Sequence, residues 1–224
     1  MAVENYLLSI YELQEQGLRV TTTSLAEQLK RLPEGEGLGT SLPSVAGMLR
    51  RMVRDRLLET TASKDMVLAP TGQVEAEGMV RRHRLAKRLV VDLLGLEPHK
   101  AYVEAHRLEH AISPDVEARI DERLGHPTTC PFGHPIPGSA YVAAKDAAPL
   151  SQADPGATYV VDRVPDDDQT LLKYFVDHRL VPGQRVHVVE AALYRGVVTL
   201  VCDGEELVVG YEVAERIWVR GDGG

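Results

Sequence analysis

Apolar residues recur at helical spacing over residues 3–16, at Val3, Tyr6, Leu7, Ile10, Tyr11 and Leu13, and Gly17 closes the run. That rhythm predicts a first helix with a glycine stop. The hydroxyls of Thr21 to Ser24 then offer caps, and Ser24 with Glu27 predicts a capping box opening a short helix over 25–32. A Gly- and Glu-rich loop over 33–40 follows. Ser41 or Leu42 occupies the cap region, and Pro43 the first turn, of a third helix running over 45–58. Val45, Met48, Leu49, Met52 and Val53 share one face of this helix, and Gly47, Arg50, Arg51 and Arg54 share the other. Two short strands, 57–61 and 66–69, flank the polar turn 62–65 and predict a hairpin. Helix, helix, basic helix and hairpin is winged helix-turn-helix order.

Downstream, a long periodic helix is expected over 71–94, a second over 103–112, and a third from Pro114 to about Leu124. The Pro- and Gly-rich run 130–138 ends the helical pattern. Asp168 to His178 reads as a short helix. Leu180-Val181-Pro182-Gly183 turns into a strand reaching Val189, and 197–202, 206–209 and 215–219 supply further strands, enough for a small β-barrel. The expected fold is mainly α with small β, divided into 1–72, 73–138 and 139–224.

The chain has 224 residues, 44% of them hydrophobic, so it can bury sizeable cores. Its formal charge of −8 argues against indiscriminate coating of nucleic acid. The stretch 44–56 is nevertheless basic, with Arg50, Arg51, Arg54 and Arg56 against Asp55, so the local potential opposes the molecular average. Cys130 and Cys202 form no C-x-x-C pattern, which suggests reduced thiols. No secretory signal pattern and no run of about 18 apolar residues is found, and a cytoplasmic chain with no membrane span is expected.

The strongest chemical signal is His106-Arg107-Leu108-Glu109-His110. On a helix, positions 106, 109 and 110 share one face, where two imidazoles and a carboxylate reach one dication. The same letters match H-x-x-E-H, in which two histidines hold zinc and the glutamate activates water. A zinc-dependent hydrolase is therefore the alternative to a metal sensor, but it gives no reason for the basic helix and hairpin.

Arg82-His83-Arg84-Leu85-Ala86, Glu109-His110, and Pro131-Phe132-Gly133 followed by Pro135-Ile136-Pro137-Gly138 resemble, in order and spacing, the diphtheria toxin repressor family of metal-dependent regulators. The resemblance implies a winged-helix DNA-binding domain, a helical domain for dimerisation and metal binding, and a C-terminal SH3-like (FeoA-like) domain. It also implies that Glu109 and His110 are metal ligands, with His106 where other members carry sulfur or carboxylate. The first-helix ligand aligns with Asn5, and Glu4 is a possible substitute. His83 matches a further ligand, with a hydrogen-bonded core histidine as the equal alternative. Lys87 stands where the family has a carboxylate and Tyr102 where it has a histidine, so an ancillary site is lost, or rebuilt with Glu104 or Asp168.

A nitrogen and oxygen donor set without thiolate suits Mn²⁺ or Fe²⁺, and Zn²⁺, Co²⁺ or Cd²⁺ can substitute in vitro. For DNA the resemblance points to Ser41, Pro43 and Ser44, and to Arg51 and Arg54 at phosphates. Arg50 shares the basic face, Lys64 at the hairpin tip suits a phosphate, and Gly47 replaces a longer polar side chain. The function implied is a homodimeric, non-enzymatic regulator, a repressor of manganese or iron homeostasis genes, acting on palindromic double-stranded operator DNA.

Overall fold

The structure is a computed structural model that describes residues 2–32 and 39–222, so most of the loop expected over 33–40 lies outside the described residues. The chain divides into two compact units, Met1–Ala86 with Val103–Arg123, and Lys87–Tyr102 with Leu124–Gly224.

The first unit opens with α1 (Ala2–Glu15), which buries Tyr6, Leu7, Ile10 and Leu13 of the predicted stripe and, beyond it, Asn5, Leu8, Ser9 and Glu12. Gly17 then takes φ +72, the left-handed stop expected of it. α2 (Thr22–Leu29) starts earlier than expected. Its cap is Thr21, whose hydroxyl accepts from Ser24 N at 3.0 Å, while Thr21 N donates to Ser24 Oγ at 2.9 Å. The capping box therefore pairs Thr21 with Ser24 rather than Ser24 with Glu27, because a serine three residues on can return the bond as well as a glutamate.

α3 (Leu42–Arg54) is capped by Ser41 with Pro43 in its first turn, and buries Val45, Leu49 and Met52. It ends before the expected Leu58. Arg56 at φ +61 turns the chain into β1 (Leu58–Thr60), which pairs antiparallel with β2 (Met66–Leu68). α4 (Pro70–Arg88) follows directly. A Cβ on Gly72 would meet the Leu57 carbonyl oxygen at 2.0 Å, so only glycine allows this helix start to lie against the hairpin. Leu8 of α1 packs with Met79 and Val80 of α4 in a small buried cluster. Each such buried side chain contributes about 1.5–3 kcal/mol. The Arg84 guanidinium reaches Glu15 at 2.9 and 2.5 Å. α5 (Ala101–Glu109) begins two residues earlier than expected, after a 3₁₀ turn (Pro98–Lys100). α6 (Pro114–Arg123) opens on Ser113 as foreseen and is tied to α4 by Arg81 with Glu117 at 2.8 Å and Asp121 at 3.2 Å.

The second unit begins as the long helix ends. α4 stops at Arg88, and the apolar run to Leu93 forms a π-helical turn (Leu89–Leu93) rather than α-helix. The remainder is a six-stranded antiparallel sheet in the order β3-β8-β4-β5-β6-β7. Its strands are β3 (Ala148–Pro149), β4 (Thr158–Arg163), β5 (Arg185–Ala192), β6 (Val197–Cys202), β7 (Glu205–Gly210) and β8 (Trp218–Gly221). β3 and β4 were not foreseen. Of the strand expected over 215–219 only Trp218 and Val219 are extended, in β8, while 215–217 form the turn that follows the short helix α8 (Tyr211–Ala214). α7 (Gln169–Asp177) buries Leu172 and Phe175 in a core with Val161, Val188, Leu200 and Val219. Gly133, at φ +90, would put a Cβ 2.1 Å from the Asp162 carbonyl oxygen, so the Pro-Phe-Gly turn meets β4 at a point only glycine permits. No helix among the described residues is long and apolar enough to cross a membrane.

Candidate metal centre and nucleic-acid interface

α5 carries His106 and Glu109 one turn apart, so both project from one face, and α4 brings His83 to the same point. Ligand atoms of His83, His106 and Glu109 lie within 4.8 Å of one another. All three side chains are fully buried. His83 Nδ1 makes a short contact with Glu109 Oε2, and His106 Nδ1 stands 2.9 Å from Oε1. His110 follows the last residue of α5 rather than lying within the helix, with Nε2 3.6 Å from Glu109 Oε1 and Nδ1 3.2 Å from Glu4 Oε2 on α1. Asn5, beside Glu4, is fully buried.

Burial alone would raise the Glu109 pKa. The adjacent His83 charge and the imidazole contacts of His106 and His83 outweigh that and hold it at about 2, so the carboxylate is ionised. Both ring nitrogens of His110 are buried and stand near the Glu4 and Glu109 carboxylates, at 3.2 and 3.6 Å, without hydrogen-bond geometry. Buried polar atoms without hydrogen bonds are costly, and several converging on one carboxylate suit a cation. The donors are imidazole nitrogens and carboxylate oxygens, a set that takes first-row dications. Cys130 and Cys202 contribute nothing to the cluster, being buried in the second unit.

The other expected ligands are engaged elsewhere. Glu104 is bound to Arg107 at 2.5 Å, and Asp168 caps α7, its Oδ1 accepting from Thr170 N at 2.9 Å and Leu171 N at 3.0 Å. Lys87 donates to Asp166 at 2.6 Å, a partner separated by 79 positions that no local pattern could have indicated.

On α3, Ser41, Pro43, Ser44, Arg50, Arg51 and Arg54 are all exposed, opposite the buried face. The Ser41 hydroxyl accepts from Ser44 N at 3.4 Å. Arg51 and Arg54 both approach Asp55, at 3.4 and 3.8 Å. Lys64 lies exposed at the hairpin tip with φ +64. A bidentate Arg19–Asp65 pair at 2.9 and 3.0 Å, and the bond from Met66 N to Val20 O at 2.9 Å, tie that hairpin to the segment before α2. Sequence reasoning missed the Arg19 tether, whose partner is 46 positions away.

The family profile described as iron dependent repressor, metal binding and dimerisation domain matches residues 69–138, and the FeoA domain profile matches 148–221. The iron-dependent repressor IdeR of Mycobacterium leprae is 33% identical over 97% of this chain and 96% of its own length. The chain belongs to the diphtheria toxin repressor family of metal-dependent transcriptional regulators. Its Mycobacterium tuberculosis relative, also an iron-dependent repressor IdeR, is 34% identical over 97% of this chain and 96% of its own length. Among solved structures, a manganese-dependent transcriptional repressor in complex with manganese superposes with a TM-score of 0.86 at 31% identity, covering 98% of this chain and 99% of that one. ScaR with bound Cd²⁺ superposes with a TM-score of 0.82 at 26% identity, over 98% and 99% of the two chains. The family thus has the winged-helix and FeoA elements expected from the sequence, the FeoA part here being a six-stranded sheet.

Proposed function

We propose that this chain is a homodimeric repressor that binds a palindromic operator in the cytoplasm when loaded with Mn²⁺ or Fe²⁺. His83, His106, Glu109 and His110 are assigned as ligands, with Asn5 supplying a neutral oxygen from α1. Zn²⁺, Co²⁺ and Cd²⁺ are expected to substitute in vitro. The working division is a winged helix over 1–72, a metal-binding and dimerisation region over 73–138, and the FeoA region from 139. The observation that carries the reading is Glu109, ionised, fully buried, and faced by imidazoles from two helices.

When bound, a dication supplies one positive centre for donors on α1, α4 and α5. Glu109 provides the countercharge, and His83 and His106 provide nitrogens already turned toward it. Glu4 and Asn5 stand at the start of α1, so ligation there restrains the helix that packs beside α2. α2 in turn packs on α3, and the arginines of α3 are presented to phosphates and base edges. By linkage, operator DNA tightens metal binding by the same factor that metal tightens operator binding.

A hydrolase would require Glu109 to face water and substrate in a cleft. Glu109 instead has no exposed surface, and each of its oxygens meets an imidazole. The deciding experiment is a mobility-shift titration with Mn²⁺, Fe²⁺ and Zn²⁺ at fixed salt, since phosphate contacts make affinity salt-dependent. Metal should raise operator affinity by about 5–150-fold, and an unchanged affinity would overturn the reading.

A further inference from the structure

Outside the His and Glu cluster, one buried cation stands out. Lys87 is 1% exposed, and its Nζ donates to Asp166 Oδ2 at 2.6 Å. The same ammonium lies 4.8 Å from the centroid of the Tyr102 ring, within cation–π range. Asp166 is itself buried, with its other oxygen 3.8 Å from His134 Nε2. His134 Nε2 in turn lies 2.9 Å from the Val164 carbonyl oxygen, which fixes the ring beside this segment. Three stretches distant in sequence meet at the ammonium: the end of α4, the second residue of α5, and the link between β4 and α7 inside the FeoA match.

The chemistry of this cluster differs from that of a metal site. Among the described residues, His83, His106 and Glu109 form the one group of metal-ligating side chains close enough to share an ion. At Lys87 the positive charge belongs to the chain. A bound dication comes and goes with its free concentration, so whatever it stabilises depends on metal supply. An ammonium on a covalent stem is present at every metal concentration. Buried between a carboxylate and a ring face, it is costly to leave unpaired, and this holds the three stretches together.

We propose that Lys87 is a tethered cation that fixes the FeoA domain to the end of α4 whether or not metal is bound. Metal control is then left to the His and Glu cluster, a division that rests on the function proposed above. The test is hydrogen exchange on the full chain, stripped with chelator and loaded with Mn²⁺, alongside operator binding on the same samples.

In the unaltered protein, amides of 164–172 should exchange at the same rate in both states. Lys87→Met should accelerate them by about tenfold or more in both, because breaking the pair opens this segment locally. The double change Lys87→Met with Asp166→Leu should restore much of the protection, since an apolar pair leaves no unpaired charge. If Lys87→Met does not accumulate, Asp166→Asn, which keeps an oxygen for the ammonium but removes the charge, should accelerate the same amides. The proposal is overturned if stripping the metal alone accelerates 164–172 as much as the substitution does, or if neither single substitution changes them. Operator binding that ignores Mn²⁺ while these amides behave as expected would sink the metal assignment and leave the tether standing.

Discussion

His83 and Lys87 stand four residues apart on α4, both fully buried, and they represent opposite solutions to a polar group in the interior. Around Lys87 the charges close on themselves: ammonium, carboxylate and ring satisfy one another. Around His83 a single carboxylate, Glu109, faces the imidazoles of both His83 and His106, and the two ring nitrogens of His110 are buried beside it without hydrogen-bond geometry. The first arrangement is complete in the chain alone and is structural. The second gathers several nitrogen donors around one buried carboxylate, which suits the dication ligation proposed above.

Removing the central carboxylate should break this comparison most sharply. Glu109→Gln keeps the shape but leaves His83 and His106 without the carboxylate they face, so the metal-dependent gain in operator affinity, about 5–150-fold in the unaltered protein, should vanish. A mobility-shift titration in which the variant still responded to Mn²⁺ would place the ligating carboxylate elsewhere. Next comes Lys87→Met, which strands Asp166 in the interior. It should destabilise the protein by about 3–5 kcal/mol in chemical denaturation, with little dependence on added Mn²⁺. A destabilisation that Mn²⁺ reversed would mean that the two regions are not separate in kind.

The sequence made half of this comparison visible. His106 and Glu109 share one helix, so their spacing alone places them on one face, and the resemblance supplied His83. Lys87 was conspicuous as a departure, but Asp166 was not, because only the folded β4–α7 link brings it near. The winged-helix elements were legible because α3 buries one regular stripe, because the apolar run of α1 is dense, and because both helices end at turn residues. The end of α4 was not. Leu89, Val90 and Leu93 continue the apolar spacing, and a π turn satisfies that spacing as well as an α turn does. β3, at two residues, is too short for an alternation to register.

A smaller effect is expected on α3. Replacing Arg50, Arg51 or Arg54 by alanine should weaken binding to operator and unrelated duplex alike, reducing the salt slope by about 1 for each phosphate that is no longer neutralised. A variant that instead relaxed preference at a single base pair would mean that its arginine reads a base edge.

The smallest effect belongs to the wing and depends on pH. Hydrogen bonds from Arg19 and Ser63 hold the Asp65 carboxyl below its usual range. A depressed carboxylate pKa contributes order that is fully present above the unfolded value of about 3.9 and is lost as pH falls through the folded value. The wing tether should therefore be constant from about pH 8 to pH 5 and yield only in stronger acid. Both partners reach solvent, so the contribution is small, and it is best read from the Asp65 carboxyl resonance rather than from stability. Arg19→Ala should move that titration upward toward the ordinary carboxylate value, with operator affinity changing less than for any arginine of α3. If the Asp65 midpoint did not move, the bidentate pair would not be what orders the turn carrying Lys64, and the hairpin bonds of Thr61 to Asp65 would suffice.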